Sequence, residues 1–100
     1  MIYKRPSPNA GKIIVTFTIP GSIWAERINL AGDFNDWNTE DLVFRQNRDG
    51  DWFIEVELET GKEYAFRYLF DGDHWRDEGR ADKYEPNPHG SYNGVVVAEL

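Results

Sequence analysis

The chain has 100 residues and a net charge of −7, from 18 acidic and 11 basic residues, and it contains no cysteine. This length allows one domain, and the missing cysteines exclude disulfides and thiolate chemistry. The acidic balance argues against nucleic acids and anionic membranes as partners. Because 40% of the residues are hydrophobic and 29% are charged, we expect one folded domain over residues 1–100, with its core over about 13–97.

Apolar and polar residues alternate along most of the chain, which predicts β-strands rather than helices. The alternating runs cover residues 12–20, 27–31, 51–58 and 63–70, with a β-branched run at 95–97 and a weaker candidate at 42–46. Turn dipeptides separate these runs: Pro20-Gly21, Asp49-Gly50, Thr60-Gly61, Asp71-Gly72 and Asn93-Gly94. The pattern predicts an all-β fold, an antiparallel β-sandwich of about seven strands.

The alternation also predicts which side chains face the core. Trp52 is in phase with the apolar residues of its run, so we expect it to be buried. Arg67 lies on the face opposite the aromatic residues of its run, which predicts that it points outward. Trp24 follows a Pro-Gly turn and either packs over one end of the sandwich, which is the interpretation we favour, or forms an exposed contact. Residues 71–93 form the one long stretch without a strand pattern, which is typical of a functional loop.

Patterns typical of enzymes and metal sites are absent. No serine lies in a G-x-S-x-G motif, His74 and His89 lack metal-ligand spacing, and residues 71–82 do not match a calcium-binding loop. We therefore predict a binding function with no catalytic residue, no metal and no cofactor. The chain shows no signal-peptide pattern and no apolar run that could span a bilayer, so we expect a cytoplasmic protein without membrane contact.

Residues 30–38, with the sequence LAGDFNDWN, resemble the G-x-F-N-x-W signature of carbohydrate-binding module family 48. The resemblance continues in order through Gly50-Asp51-Trp52, residues 64–72, Trp75 and Asn93, and it covers residues 13–97. The family includes the early-set domains of isoamylases and branching enzymes and the glycogen-binding domain of the AMP-activated protein kinase beta subunit. The resemblance implies an immunoglobulin-like, early-set β-sandwich.

The resemblance also implies a ligand and a site. In glycogen-binding members, two tryptophans stack on an α-1,4-glucan, while a basic residue and polar groups near the last strand bind its hydroxyl groups. The matching positions are Trp37 and Trp75 for stacking, Arg67 for the basic residue, and Ser91 and Asn93 for the polar contacts. The implied partners are glycogen, amylose, maltooligosaccharides and cyclodextrin.

The same residues have structural interpretations that the sequence leaves open. Trp37 lies in a polar loop outside any strand and either contacts a ligand or folds back onto the domain. Arg67 either binds a ligand or pairs with an acid such as Glu55 or Glu57, and Asn93 either binds a ligand or forms a turn. The alternative function is a protein–protein interaction domain that docks on a glucan-metabolising enzyme without binding sugar. Phe34 and Asn35 are expected to be structural, as an anchor and a turn former.

Overall fold

The computed structural model describes residues 1–100 and contains nine β-strands and one short 3-10 turn at Asp33–Asn35. The strands are β1 (Ile2–Pro6), β2 (Lys12–Ile19), β3 (Ile28–Gly32), β4 (Arg45–Gln46), β5 (Trp52–Glu59), β6 (Glu63–Phe70), β7 (His74–Arg76), β8 (Lys83–Pro86) and β9 (Tyr92–Val97). No helix is long and apolar enough to cross a membrane. The predicted all-β architecture is confirmed.

Two antiparallel sheets pack as a sandwich. The first sheet has the order β1-β2-β5-β4, and the second has the order β3-β6-β9-β8, with β7 also paired to β6. One edge of β6 pairs with β3, and its other edge is shared between β9 at Glu63–Phe66 and β7 at 68–70. Arg67 therefore lies at the junction where one partner strand of β6 ends and the next begins.

The core lies between the two sheets and follows the predicted alternation. Ile13, Val15 and Phe17 point inward from β2. They meet the buried aromatic residues of β6, and the rings of Phe17 and Phe66 lie 5.0 Å apart in an edge-to-face arrangement. Trp52 is buried as predicted, and its indole N–H donates to the carbonyl of Ile23 at 3.4 Å.

The structure corrects the prediction for residues 71–93, which contain the short strands β7 and β8 rather than one irregular loop. All residues of these two strands are exposed, so no apolar alternation marks them. Backbone pairing with β6 and β9 defines them instead. Strand β1 was also missed, because it is a short edge strand with two basic residues that pairs only with β2.

Two smaller predictions were wrong. Asn93-Gly94 lies inside β9 and does not form a turn; a Cβ at Gly94 would come within 3.1 Å of the Phe66 ring, so the glycine serves close packing. Trp24 does not pack over the sandwich but is 78% exposed. Its neighbours Ile23 and Ala25 occupy the apolar positions that anchor this loop, which leaves the tryptophan outside.

Candidate functional site

A cleft of ≈ 420 Å³ opens over the outer face of the second sheet. Its lining residues come from five separate segments of the chain: Trp37, Arg67, Trp75, Asn87, Pro88, His89 and Asn93. Four of the five residues singled out from the sequence thus meet in one place. Ser91 does not line the cleft; it is half-buried in the neighbouring turn.

Strand β6 supplies the floor of this cleft through its outward-facing residues. Arg67 points outward as predicted, and the strand register places Ala31 of β3 beside it and Trp75 of β7 beside Leu69. Phe66 pairs with Gly94, so Asn93 on β9 comes next to Arg67 on the same face. Period-two alternation therefore gathers Arg67, Trp75 and Asn93 on one surface.

Trp37 reaches the cleft through the loop that follows β3. The loop begins at Gly32, where an added Cβ would lie 2.5 Å from the carbonyl oxygen of Ala65, so no larger residue fits. Asp36 and Trp37 both have left-handed backbone conformations, with φ of 53° and 57°. The N–H of Trp37 donates to the carbonyl of Gly32 at 2.9 Å and closes the loop.

Phe34 and Asn35 have the structural roles expected of them. The ring of Phe34 packs against Phe17 and Tyr64, with both ring centroids at 6.1 Å. The side chain of Asn35 accepts a hydrogen bond from the N–H of Gly32 at 3.0 Å and donates to the carbonyl of Leu30 at 3.3 Å. These contacts hold the loop closed while Trp37 remains half-buried at the cleft.

Arg67 is held between a carboxylate and an aromatic ring. Its Nε donates to Asp77 Oδ1 at 3.0 Å, and its guanidinium lies 5.8 Å from the centre of the Trp75 ring. The side chain keeps 14% of its surface exposed, and Trp75 keeps 40%. Because only Nε is bonded to Asp77, the terminal N–H groups of Arg67 are the cationic donors that this cleft offers a ligand.

The predicted alternative partners of Arg67 lie on the other sheet. Glu55 accepts a hydrogen bond from Arg5 at 2.7 Å, and this bond lowers the pKa of Glu55. Glu57 accepts hydrogen bonds from Ser7 and Asn9, which lower its pKa. Neither acid pairs with Arg67, whose carboxylate partner is Asp77. The expected pairing with an acid is therefore confirmed, and only the two acids named as examples were wrong.

The turn between β8 and β9 forms one wall of the cleft, and its residues were missed by the sequence analysis. Asn87 Oδ1 accepts hydrogen bonds from the N–H groups of His89 and Ser91, at 2.9 and 3.2 Å. Its amide also donates to Asn93 Oδ1 at 3.2 Å, which joins the turn to the cleft floor. The signal was present in the sequence P-N-P-H-G, since an asparagine before a glycine is typical of such side-chain-ordered turns.

The cleft combines flat aromatic surface with hydrogen-bonding groups and has no acidic residue in its lining. It contains a guanidinium and an imidazole in a chain whose net charge is −7. Aromatic faces bury C–H groups, while amide and guanidinium groups bind oxygen atoms. The arrangement is therefore suited to a polar molecule that has apolar faces.

The family model of carbohydrate-binding module 48 (isoamylase N-terminal domain) matches residues 21–89 of the chain. The matched region contains both cleft tryptophans, Arg67 and the turn that carries His89, and it ends before Asn93. No curated protein matches the sequence.

Proposed function

The chain belongs to carbohydrate-binding module family 48, and from this membership we propose that it is a non-catalytic module that binds α-1,4-glucans of the glycogen or starch type. One observation carries the proposal. Two tryptophans that are distant in sequence line the same cleft, together with an arginine whose terminal N–H groups have no partner within the protein. This is the combination of surfaces that a chain of sugar rings requires.

The physical basis is the two-sided chemistry of a sugar ring. Its faces carry C–H groups that an indole can cover, and its rim carries hydroxyl groups that need hydrogen-bond partners. Each stacked tryptophan buries about 150–200 Å², a gross gain of about 4–5 kcal/mol at 25 cal/mol/Å². Ordering costs and displaced water offset much of this gain, so we expect micromolar or weaker binding.

The proposed preference for α-linked chains comes from the origin of the two tryptophans. Trp37 follows β3 and Trp75 lies on β7, and these strands pair with opposite edges of β6. An α-1,4-glucan curves, so its rings present tilted faces to such separate platforms. A flat β-1,4-glucan is better matched by aromatic residues aligned along one strand. We therefore propose that maltooligosaccharides and β-cyclodextrin bind and that cellooligosaccharides do not.

Affinity electrophoresis through glycogen tests the site. Trp37→Ala and Trp75→Ala are expected to abolish retardation, with a loss of less than about 1 kcal/mol in the free energy of unfolding, because both side chains lie outside the core. The matched control is Trp24→Ala, which removes an exposed tryptophan that lines no part of the cleft. Unchanged retardation of Trp37→Ala would show that the glucan site is elsewhere.

Calorimetry with two oligosaccharide series tests the ligand class. Affinity should rise from maltose to about maltoheptaose as both tryptophans become engaged, and cellohexaose should give no heat. Equal binding of maltohexaose and cellohexaose would contradict the preference for curved chains. Release of reducing sugar from glycogen by the purified protein would contradict a non-catalytic role.

Trp24 favours a second candidate function, docking on a glucan-metabolising enzyme. The backbone of this loop is fixed, because the N–H groups of Glu26 and Arg27 donate to Asp71 Oδ1 at 2.8 and 2.9 Å. A rigid loop that exposes a tryptophan is a typical anchor of a protein interface. If docking is the function, a catalytic partner should lose affinity for Trp24→Ala and not for Trp37→Ala.

A further inference from the structure

The carboxylate of Asp33 connects the Trp37 indole to the sheet. Its Oδ1 accepts a hydrogen bond from Trp37 Nε1 at 3.0 Å, and its Oδ2 accepts one from the N–H of Ala65 at 2.8 Å. Ala65 is a buried residue of β6, the strand that carries Arg67. The indole is thus tied through a single side chain to the strand that forms the cleft floor.

The conformation of the loop explains why the Trp37 ring needs this hydrogen bond. Asp36 and Trp37 both have positive φ, a conformation that is disfavoured for residues with a bulky side chain. The backbone of Trp37 is held by its hydrogen bond to Gly32, but that bond leaves the side-chain torsions free. The bond to Asp33 is the one hydrogen bond of the indole and restrains the orientation of its ring.

We propose that Asp33 is the positioning residue of the cleft and holds the Trp37 ring in its binding orientation before a ligand arrives. The inference rests on the proposed function, because its benefit is a lower ordering cost when a sugar stacks on the ring. The position requires a carboxylate, since both of its partners are N–H donors. An asparagine offers one acceptor oxygen, so one donor would face an amide NH₂.

Affinity for maltoheptaose provides the first test. Asp33→Asn should bind about three- to tenfold more weakly than the unaltered protein, because the competent orientation of the ring becomes less populated. Asp36→Asn is the matched control. It removes the same charge from the same loop, and Asp36 makes no hydrogen bond to the indole, so affinity should not change. Asp33→Ser, which can serve only one donor at a time, supplies a second variant if Asp33→Asn does not fold.

A double-mutant cycle with Trp37→Phe separates positioning from a general structural effect. Phenylalanine keeps a ring for stacking but has no N–H donor, so Asp33→Asn should have little further effect on affinity in this background. A loss as large as in the unaltered protein would mean that Asp33 does not act through Trp37, and the proposal would be wrong.

Nuclear magnetic resonance of the indole N–H groups tests the same inference without a ligand. The Trp37 signal is identified by its absence in Trp37→Phe, and its ¹H–¹⁵N heteronuclear NOE should fall in Asp33→Asn but not in Asp36→Asn. If the protein binds no maltoheptaose, the proposed function fails, while this measurement still decides whether Asp33 orders the ring. An unchanged NOE in both Asp33 variants would overturn the inference.

Discussion

The inner and outer faces of β6 have different compositions and different surroundings. Phe66, Tyr68 and Phe70 point inward and are buried against the first sheet. The outward positions carry Glu63, Ala65, Arg67 and Leu69; Glu63 and Arg67 keep exposed surface, and only Arg67 lines the cleft. Since neighbouring residues of a strand face opposite sides, one strand supplies core side chains and site side chains independently.

The polar groups differ between the two faces as well. On the inner face, the hydroxyl of Tyr68 donates to Glu78 at 3.0 Å; burial and the adjacent carboxylate raise the pKa of Tyr68 well above its usual value. On the outer face, Arg67 is bonded through one nitrogen only and keeps donors for a ligand. The Tyr68 hydroxyl on the inner face therefore has its hydrogen-bond partner within the fold, whereas Arg67 on the outer face keeps N–H donors without one. Substitutions on the two faces should therefore affect different properties.

The largest expected effect is on the inner face. Phe66→Ala should lower the free energy of unfolding by about 3–5 kcal/mol, because it leaves a cavity beside Phe17. That loss is a large part of the stability of a domain of this size, so Phe66→Leu, a smaller truncation, is the companion variant. Urea unfolding measures both. A loss below about 1 kcal/mol for Phe66→Ala would contradict the conclusion that the inner face of β6 stabilises the fold.

On the outer face, Arg67→Ala should weaken maltoheptaose binding about tenfold through the loss of charged donors. The unfolding free energy should change by less than about 1 kcal/mol, since its ion pair is with a partly exposed acid. Arg67→Lys should give intermediate affinity, because lysine lacks the planar group that stacks on Trp75. The control is Arg76→Ala, whose guanidinium stacks on Phe70 and lines no part of the cleft. Equal affinity losses in Arg67→Ala and Arg76→Ala, measured by calorimetry, would contradict this division.

The smallest effect is expected at the turn between β8 and β9. Asn87→Ala should reduce affinity about two- to fivefold, because the cleft wall loses the side chain that orders it. Asn47 orders the turn between β4 and β5 in the same way, by accepting from the N–H groups of Asp49 and Asp51. Each of the two substitutions should lower the free energy of unfolding by about 1 kcal/mol. Asn47→Ala, however, should leave the affinity unchanged. If both variants weakened binding alike, the turn at Asn87 would have no specific role in the cleft.

Strands with a strong apolar period could be predicted from the sequence, and those without it could not. Strands β2, β5 and β6 bury one face against the other sheet. Apolar and polar residues therefore alternate along these strands. Strands β7 and β8 contain no buried residue, and they are defined by backbone pairing with β6 and β9. The prediction that Trp24 is buried was wrong for a related reason. Its apolar character predicts burial, but Ile23 and Ala25 already occupy the positions that face the core.

For the candidate site, the family resemblance singled out Trp37, Arg67, Trp75 and Asn93, and the alternation in β6 added that Arg67 points outward. The sequence analysis did not reveal Asn87, Pro88 and His89, because the resemblance names no position among them and their place at the cleft depends on the pairing of β8 with β9. The placement of Ser91 beside the cleft rather than in its lining depends on the geometry of a turn ordered by Asn87. The roles of the cleft residues in binding sugar are predictions, which the variants described above test.

The sequence by itself determined the all-β architecture, the inward and outward faces of the long strands, and the loop motif at residues 32–37, because each depends on residues close together in the chain. Tertiary structure alone decided that Trp37, Trp75 and the turn at Asn87 meet around Arg67. That meeting depends on the strand order β3-β6-β9 and on β7 sharing an edge of β6 with β9. Pairing between distant strands is selected by the packing of the whole sandwich, and no local pattern of residues encodes it.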